Sequence, residues 1–212
     1  MKLLKSTKEH KKYWSERKID WKEHYQTKEM INHPHRNLII EALSSFHWGS
    51  LLEIGCGGGA NLIKILKVFK GRQIGGIDIN PEAIDLCLKT FGGGMFKVNS
   101  ADDIFMSDKS VDVVLSDMTL IYAGPFKINK YIKEMKRIAR EHVILCEFHS
   151  DSWWNRIALK INTGYNAYNY KKLLSKHDFY DIITYKFRDG DWPGGNPQKT
   201  FGYIITAKLT KI

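Results

Sequence analysis

The chain has 212 residues, a formal net charge of +10 at pH 7 and three cysteines. This length suits one full hydrophobic core, so we predict a single domain over residues 1–212, with no room for a separate substrate domain. No apolar stretch is long enough to span a bilayer, and residues 1–5 lack the apolar region of a signal peptide. Both features predict a cytoplasmic protein with no membrane partner.

The cysteines Cys56, Cys87 and Cys146 predict neither a disulfide framework nor a metal site. They fall in a glycine loop, a helical pattern and a strand pattern, without metal-ligand spacing. We therefore expect buried thiols in a reducing compartment and no bound metal.

Residues 1–48 are predicted to form a helical cap. The first thirty residues set tyrosines and tryptophans among alternating charges, which indicates amphipathic helices. After a turn at Asn32-His33-Pro34, apolar residues on one side of residues 35–45 predict a further helix.

Residues 49–150 alternate between strand and helix patterns. Strands are predicted at residues 51–54, 73–78, 95–99, 111–115 and 142–147. The helices between them carry apolar residues at i, i+3, i+4 and i+7, such as Ile84, Cys87, Leu88 and Phe91, and stripes of this kind pack on a sheet. The alternation predicts an α/β fold with a doubly wound, mostly parallel sheet.

Residues 151–212 depart from this alternation. A tract rich in tryptophan and tyrosine comes first, residues 170–176 are predicted to form a short helix, and strands are predicted at residues 182–187 and 201–209. Because no helix fits between the last two strands, they are expected to form an antiparallel hairpin. We assign this region to a substrate-side insert followed by the hairpin.

The most informative segment is Leu52-Glu53-Ile54-Gly55-Cys56-Gly57-Gly58-Gly59-Ala60, followed by Asp78 at the end of the second strand. Glycines let the backbone turn sharply and approach a nucleotide cofactor, and a carboxylate after the second strand can bind ribose hydroxyls. The Gly-x-Gly-x-x-Ala spacing also fits a dinucleotide site. Glu53 favours a different cofactor, because a carboxylate repels a pyrophosphate and attracts a cationic amino group and sulfonium.

The segment resembles motif I of the class I S-adenosylmethionine-dependent methyltransferases, hydrophobic-Asp/Glu-hydrophobic-Gly-x-Gly-x-Gly, at every specified position. The C-terminal hairpin also resembles this superfamily, in which the last strand inserts beside the fifth. The resemblance spans about residues 51–209. It implies a Rossmann-like seven-stranded sheet with an antiparallel C-terminal strand, and S-adenosyl-L-methionine as the cofactor.

The resemblance also implies roles for residues at the strand ends. Asp78 would hold both ribose hydroxyls, Ile79 would pack on the adenine ring, and Glu53 would lie under the methionine part of the cofactor. The adenine would meet a segment that begins at Ser100, which stands where the family usually has aspartate. Helix capping is an alternative role for Asp78 and Asp102. The predicted cofactor-binding residues are Glu53, Gly55, Cys56, Gly57, Asp78, Ile79, Ser100, Ala101, Asp102 and Asp117.

Methyl transfer depends on alignment of a nucleophile with the methyl carbon and on exclusion of water, and a base is needed only when the acceptor must lose a proton. Neither an Asp/Asn-Pro-Pro-Tyr/Phe tetrad nor a Pro-Cys pair follows the fourth strand. This disfavours amino methylation of adenine or glutamine, and cysteine-assisted methylation of pyrimidines. Candidate bases are His149, Tyr122 and His33 or His35, and each has a structural role as the alternative.

Aromatic residues in the inserts predict the acceptor pocket. Trp14, Trp153 and Trp192 are candidate acceptor contacts, and residues 188–199 form a candidate lid loop. We predict a methyltransferase acting on an oxygen or nitrogen atom of a small molecule, such as a sugar or a secondary metabolite. The alternatives are an RNA or protein methyltransferase that docks through the basic helix at residues 127–140, and a non-catalytic binding protein. The sequence leaves the oligomeric state and the lid role of the N-terminal helices open.

Overall fold

The computed structural model describes residues 6–196, 199 and 201–209. Residues 1–5 of the predicted cap and residues 197 and 198 of the predicted loop lie outside these ranges. The strands are β1 (Ser50–Ile54), β2 (Gln73–Asp78), β3 (Met95–Val98), β4 (Val111–Asp117), β5 (Ala139–Phe148), β6 (Phe179–Lys186) and β7 (Gly202–Leu209). The helices are α1 (Thr7–Glu16), α2 (Trp21–Tyr25), α3 (Lys28–Ile31), α4 (His35–Ser44), α5 (Ala60–Val68), α6 (Pro81–Phe91), α7 (Ile128–Ile138), α8 (Trp153–Thr163) and α9 (Tyr170–Ser175). Short 3-10 turns lie at Leu120–Tyr122 and Asp189–Asp191.

One seven-stranded sheet has the strand order β3-β2-β1-β4-β5-β7-β6. The first five strands in this order run parallel, whereas β7 is antiparallel to both of its neighbours, β5 and β6. The α/β fold, the doubly wound sheet and the C-terminal hairpin are therefore confirmed. The direction in which strands are added reverses between β1 and β4, and ligands bind at such points in open α/β sheets.

Apolar side chains cover both faces of the sheet. One buried cluster packs α7 and α9 against the strands, and a second packs α4, α5 and α6 against the opposite face. Every residue of β1 is buried. Because β1 is enclosed on both faces, the glycine loop that follows it starts from a fixed position.

Local signals set the limits of two helices beside the crevice. Ser6 and Glu9 form a capping box at the start of α1. Asn80 caps α6, Pro81 occupies its first turn, and Gly92 ends it in the left-handed region with φ of 70°. The predicted end of α6 at the glycine run is thus confirmed.

The structure differs from the sequence predictions in several places. β5 starts at Ala139, before the predicted residue 142, and β4 extends to Asp117, beyond the predicted residue 115. α8 was not predicted, although Ser152 accepts a bond from the Asn155 N–H at its start and Gly164 ends it in the left-handed region. β6 begins at Phe179, before the predicted residue 182, because a bulge between Tyr180 and Ile183 keeps the strand paired with β7. Leu88, predicted to face the sheet, is exposed on α6. No described helix is long and apolar enough to cross a membrane.

Candidate active site

A cavity of about 450 Å³ opens at the C-terminal ends of β1, β2 and β4. One face of α1 roofs it, since Thr7, His10, Lys11 and Trp14 lie at i, i+3, i+4 and i+7 and all line the cavity. The other lining residues include Tyr25, His33, His35, Arg36, Gly55, Gly57, Asp78, Ile79, Asn99, Ser100, Ala101, Asp117, Met118, Thr119, Tyr122 and Trp192. The N-terminal cap and the parallel strands therefore enclose one site between them.

The glycine loop needs glycine at the cavity wall. Gly55 has φ of 71°, and a Cβ on it would collide with the Thr119 side chain. Gly57 has φ of 49° and lies under the Tyr25 ring. These two glycines let the loop turn beneath Tyr25 of the N-terminal cap.

Asp78 lies at the end of β2, and its carboxylate faces the loop. It accepts hydrogen bonds from Gly57 N at 3.0 Å and from Asn80 N at 2.9 Å. Burial raises the pKa of Asp78, and the two backbone N–H groups act against that rise. Asp78 is thus oriented by the loop and lines the cavity, as a ribose-binding carboxylate must.

The adenine side of the site is only partly as predicted. Ile79, Ser100 and Ala101 line the cavity with Asn99. Asp102, in contrast, is taken up by the protein: Lys11 Nζ lies 2.7 Å from its Oδ1 and Lys127 Nζ lies 3.2 Å from its Oδ2. Although burial would raise the pKa of Asp102, Lys11, Ser100 and Lys127 hold it well below its usual range. Asp102 therefore fastens α1 over the site and lies outside the cavity lining.

Lys11 is the residue of α1 that holds this helix over the cavity, because it also donates to Ser100 Oγ at 2.6 Å. Replacing Lys11 by methionine keeps the apolar stem and removes the ion pair. We expect a rise of about fivefold in the Kd for S-adenosylhomocysteine, equivalent to ~1 kcal/mol for a partly exposed pair. Calorimetric titration measures it. Lys12→Met, at the exposed neighbouring position, is the control. Equal Kd values for the two variants would show that Lys11 does not hold α1 over the cavity.

Polar atoms without partners lie at and just behind the other end of the cavity. Asp117 lines the cavity, whereas Glu53 and Cys56, both predicted as cofactor contacts, are buried outside its lining. Asn61 Nδ2 donates to Glu53 Oε1 at 2.6 Å and to Asp117 Oδ2 at 2.9 Å. The second oxygens, Glu53 Oε2 and Asp117 Oδ1, are buried with no partner among the described residues. Burial raises the pKa of Glu53 well above its usual range, and the Asn61 bond opposes that shift. These unpaired acceptors suit a group rich in N–H donors, such as an ammonium.

Arg36 supplies a positive charge and hydrogen-bond donors, and it was not predicted from the sequence. It is buried, lines the cavity, and its Nε and Nη1 atoms have no partner among the described residues. A buried guanidinium with free donors suits a carboxylate. Arg36 and Asp117 together therefore complement both ends of an amino-acid group. The sequence gives no signal for this, because Arg36 comes from α4, outside the glycine motif.

The cavity also contains a chain of titratable side chains. His35 Nε2 lies 2.9 Å from Asp117 Oδ2, and His35 Nδ1 lies 2.6 Å from His33 Nδ1. Burial alone would raise the pKa of Asp117, but its contact with His35, with help from Arg36 and Asn61, holds it at about 2. Burial and the neighbouring His35 lower the pKa of His33 to about 4. At neutral pH His33 is therefore a neutral imidazole, connected through His35 to an ionised carboxylate.

The other two candidate bases are placed differently. Tyr122 lines the cavity between Trp14 and Tyr165, with edge-to-face ring distances of 5.5 and 5.6 Å. Burial raises the pKa of Tyr122, so its phenol stays protonated at neutral pH. His149 is buried outside the cavity lining, where its Nδ1 accepts a bond from Tyr170 N at 3.1 Å. Of the predicted bases, the geometry favours His33.

A second chamber of about 210 Å³ adjoins the cavity, and Met118 and Trp192 line both. Its remaining wall is mostly apolar or aromatic and consists of Ile121, Phe148, Tyr165, Phe187, Gly195, Asn196 and Gly202. Only two of the three predicted acceptor contacts lie at these spaces. Trp14 and Trp192 line the cavity, whereas Trp153 is exposed and lies outside both spaces.

The basic helix α7 and the residues that flank it are largely neutralised within the chain. Lys127 pairs with Asp102, and Lys136 with Asp178 at 2.6 Å. Arg137 pairs with Asp108 and Glu134, and Arg140 with Asp112 at 2.8 Å. Only Lys130 and Lys133 of the six cations lack an ion pair with the described residues. This arrangement weakens the case for α7 as a nucleic-acid docking face.

Comparisons with known proteins agree with this geometry. Residues 51–142 match the family model described as a methyltransferase domain. No curated protein sequence matches the chain significantly. Among solved structures, geranyl diphosphate C-methyltransferase from Streptomyces coelicolor A3(2) superposes with a TM-score of 0.68 at 13% identity, covering 96% of this chain and 98% of that one.

Two further structures share the fold. Magnesium protoporphyrin IX methyltransferase from Synechocystis PCC 6803 gives a TM-score of 0.65 at 12% identity, with 99% of this chain and 100% of that chain covered. A SAM-dependent methyltransferase from Methanosarcina mazei gives 0.64 at 22% identity, covering 81% and 98%. These likenesses show the fold, and the family model adds the domain type. Residues 51–142 therefore resemble a methyltransferase domain, and the whole chain has the fold of S-adenosylmethionine-dependent methyltransferases.

Proposed function

We propose that the enzyme methylates an oxygen or nitrogen atom of a small molecule with an apolar body. The second chamber carries this proposal, because its aromatic and aliphatic wall adjoins the cofactor cavity at Met118 and Trp192. An apolar group of the acceptor would fill the chamber and leave its nucleophilic atom at the aperture between the two spaces. Such a wall favours an aromatic or aliphatic secondary metabolite over a free sugar.

The enclosure supports a small acceptor. α1 covers the cavity and Trp192 stands at its edge, where the ring lies 4.4 Å from the His35 ring. Two relatives of the same fold are named for small acceptors, geranyl diphosphate and magnesium protoporphyrin IX. The free, buried cysteines of the described residues fit a reducing compartment, and a cytoplasmic location is part of the proposal.

The chain's own residues fit the proposed cofactor. Asp78 would hold the ribose hydroxyls, Arg36 the methionine carboxylate and Asp117 the ammonium, with Glu53 behind Asp117 across the Asn61 amide. When bound, S-adenosylmethionine supplies an electrophilic methyl carbon on a sulfonium. α1 and the aromatic residues around Tyr122 exclude water from that carbon. The hydrogen bond between His35 and Asp117 fixes the His35 ring and, through it, the His33 ring, which can take a proton from an acidic O–H or N–H of the acceptor.

His33→Ala is expected to lower kcat by about a hundredfold or more with an acceptor that must lose a proton. Because the pKa of His33 is about 4, the wild-type rate should stay level as the pH falls from neutrality to about 5. His149→Asn is the control, since an amide oxygen can still accept the Tyr170 N–H bond; its rate should be near that of the wild type. Equal losses in the two variants would reject His33 as the base.

The proposal is tested by incubating the enzyme with methyl-labelled S-adenosylmethionine and either metabolite extracts or purified RNA and protein. We expect label in an organic-extractable small product. Label in RNA or protein alone would contradict the proposal and favour the alternative docking mode. If S-adenosylhomocysteine binds but no fraction is labelled, the non-catalytic alternative is favoured.

A further inference from the structure

The outer face of α8 is apolar and exposed. Trp153, Trp154, Ile157 and Ile161 are 51%, 66%, 42% and 64% exposed, and helical periodicity places all four on one side. The two tryptophan rings stack on each other with centroids 3.7 Å apart. Leu159 is the one buried residue of the helix. α8 therefore presents a continuous apolar stripe with no covering element among the described residues.

The stretch of sequence that contains this stripe is positively charged. Residues 152–176 contain five lysines or arginines and no aspartate or glutamate. Arg156 and Lys160, on α8 itself, border the stripe and are held by bonds to backbone carbonyls. Asp151, just before the helix, lies 4.0 Å from Lys171 Nζ and offsets one of these charges.

From this pattern we infer that α8 binds the surface of an anionic lipid bilayer, with its tryptophans at the level of the headgroups. Interfacial helices combine an apolar face carrying tryptophan with a flank of lysine and arginine. This mode needs no membrane-spanning helix, and it departs from the sequence-based prediction of no membrane partner. Ile157 and Ile161 extend the stripe with aliphatic side chains, which insert among acyl chains but do not stack on bases, so the pattern favours a bilayer over RNA. The unbalanced positive charge disfavours self-association through the same face.

The inner side of α8 and the second chamber share one apolar cluster. Leu159, on the inner side of α8, packs with Ile121, Phe148 and Ala167, and two of these residues also line the chamber. An enzyme docked through α8 would therefore hold the chamber wall close to the membrane surface. The docking itself does not depend on the acceptor proposed above and is tested without methyl transfer.

The experiment measures binding of the full chain to phosphatidylcholine vesicles with and without phosphatidylglycerol, by co-sedimentation and by tryptophan fluorescence. We expect binding only to the anionic vesicles, with a blue shift of the emission. Ile161→Ser should lower the apparent affinity by about threefold or more, and the double variant Trp153→Ser with Trp154→Ser by about tenfold or more. Ile183→Ser is the matched control, because Ile183 is 66% exposed on the edge strand β6; it should bind like the wild type.

Two double variants that remove positive charges test the basic flank of α8. Arg156→Gln with Lys160→Gln should weaken binding to anionic vesicles, whereas Lys130→Gln with Lys133→Gln on α7 should leave it unchanged. Retained affinity for S-adenosylhomocysteine shows that each variant is folded, and it separates this inference from the proposed function. Equal binding by the stripe variants and the Ile183→Ser control would overturn the inference. Binding to tRNA but not to vesicles, or a concentration-dependent dimer lost in the tryptophan variant, would overturn it too.

Discussion

Asp78→Ala is expected to raise the Kd for S-adenosylhomocysteine by about a hundredfold or more. If Asp78 holds both ribose hydroxyls as proposed, two charge-assisted bonds would be lost, each worth about 1.5–3 kcal/mol. Gly57 N and Asn80 N also lose their shared acceptor, so the glycine loop is no longer held in place. Calorimetric titration measures the change, and thermal denaturation shows whether the variant remains folded.

Two further variants sharpen this test. Asp85→Ala removes a carboxylate from an exposed position on α6, where it pairs with Lys89, and should bind like the wild type. Asp78→Asn keeps an oxygen for the Asn80 N–H bond but removes the charge, so its Kd should lie between those of Asp78→Ala and Asp85→Ala. If Asp78→Ala binds as tightly as Asp85→Ala, the ribose lies elsewhere.

The second large effect concerns Glu147, a fully buried carboxyl that the sequence analysis did not single out. Its Oε1 accepts bonds from Ser116 Oγ, Thr119 N and Leu120 N, and its Oε2 accepts from Ile121 N. These bonds hold the turn after β4, in which Met118 has φ of 50°. Glu147→Ala would leave these donors unpaired, and we expect a loss of about 3–5 kcal/mol in the free energy of unfolding. Chemical denaturation measures it.

The pH dependence of stability provides a second test of Glu147. Burial raises its pKa to about 8 in the folded state, although its hydrogen bonds oppose the shift. Between the ordinary value of about 4.3 and about 8, the folded protein holds a proton that the unfolded chain has released. The free energy of unfolding should therefore fall as the pH rises through this window, by up to ~1.4 kcal/mol per pH unit. Glu147→Gln should lack this contribution, and identical slopes for the two proteins would contradict it.

The fold was largely predictable because its signals are local. The alternation of strand and helix patterns, the glycine loop and the helix stop at Gly92 each depend on neighbouring residues. The end of β2 at Asp78 follows in the same way. α8 had capping signals at Ser152 and Gly164, but its exposed tryptophans lack the buried stripe that predicts a sheet-facing helix.

The site was less predictable, because distant segments complete it. Lys11 and Asp102 are separated by 91 positions, and His35 and Asp117 by 82. No pattern along the chain pairs them. Asp102, predicted as an adenine contact or helix cap, pairs with Lys11 of α1. Arg36 became visible only through its buried, unpartnered nitrogens. Periodicity identified the elements, whereas side-chain pairing across the cavity required the folded structure.

A crystal structure of the S-adenosylhomocysteine complex tests the central claim most directly. We predict the ribose hydroxyls on Asp78, the amino-acid carboxylate on Arg36 and the sulfur facing the aperture between Met118 and Trp192. A complex with the nucleoside bound elsewhere, or with the sulfur turned away from the apolar chamber, would contradict the account.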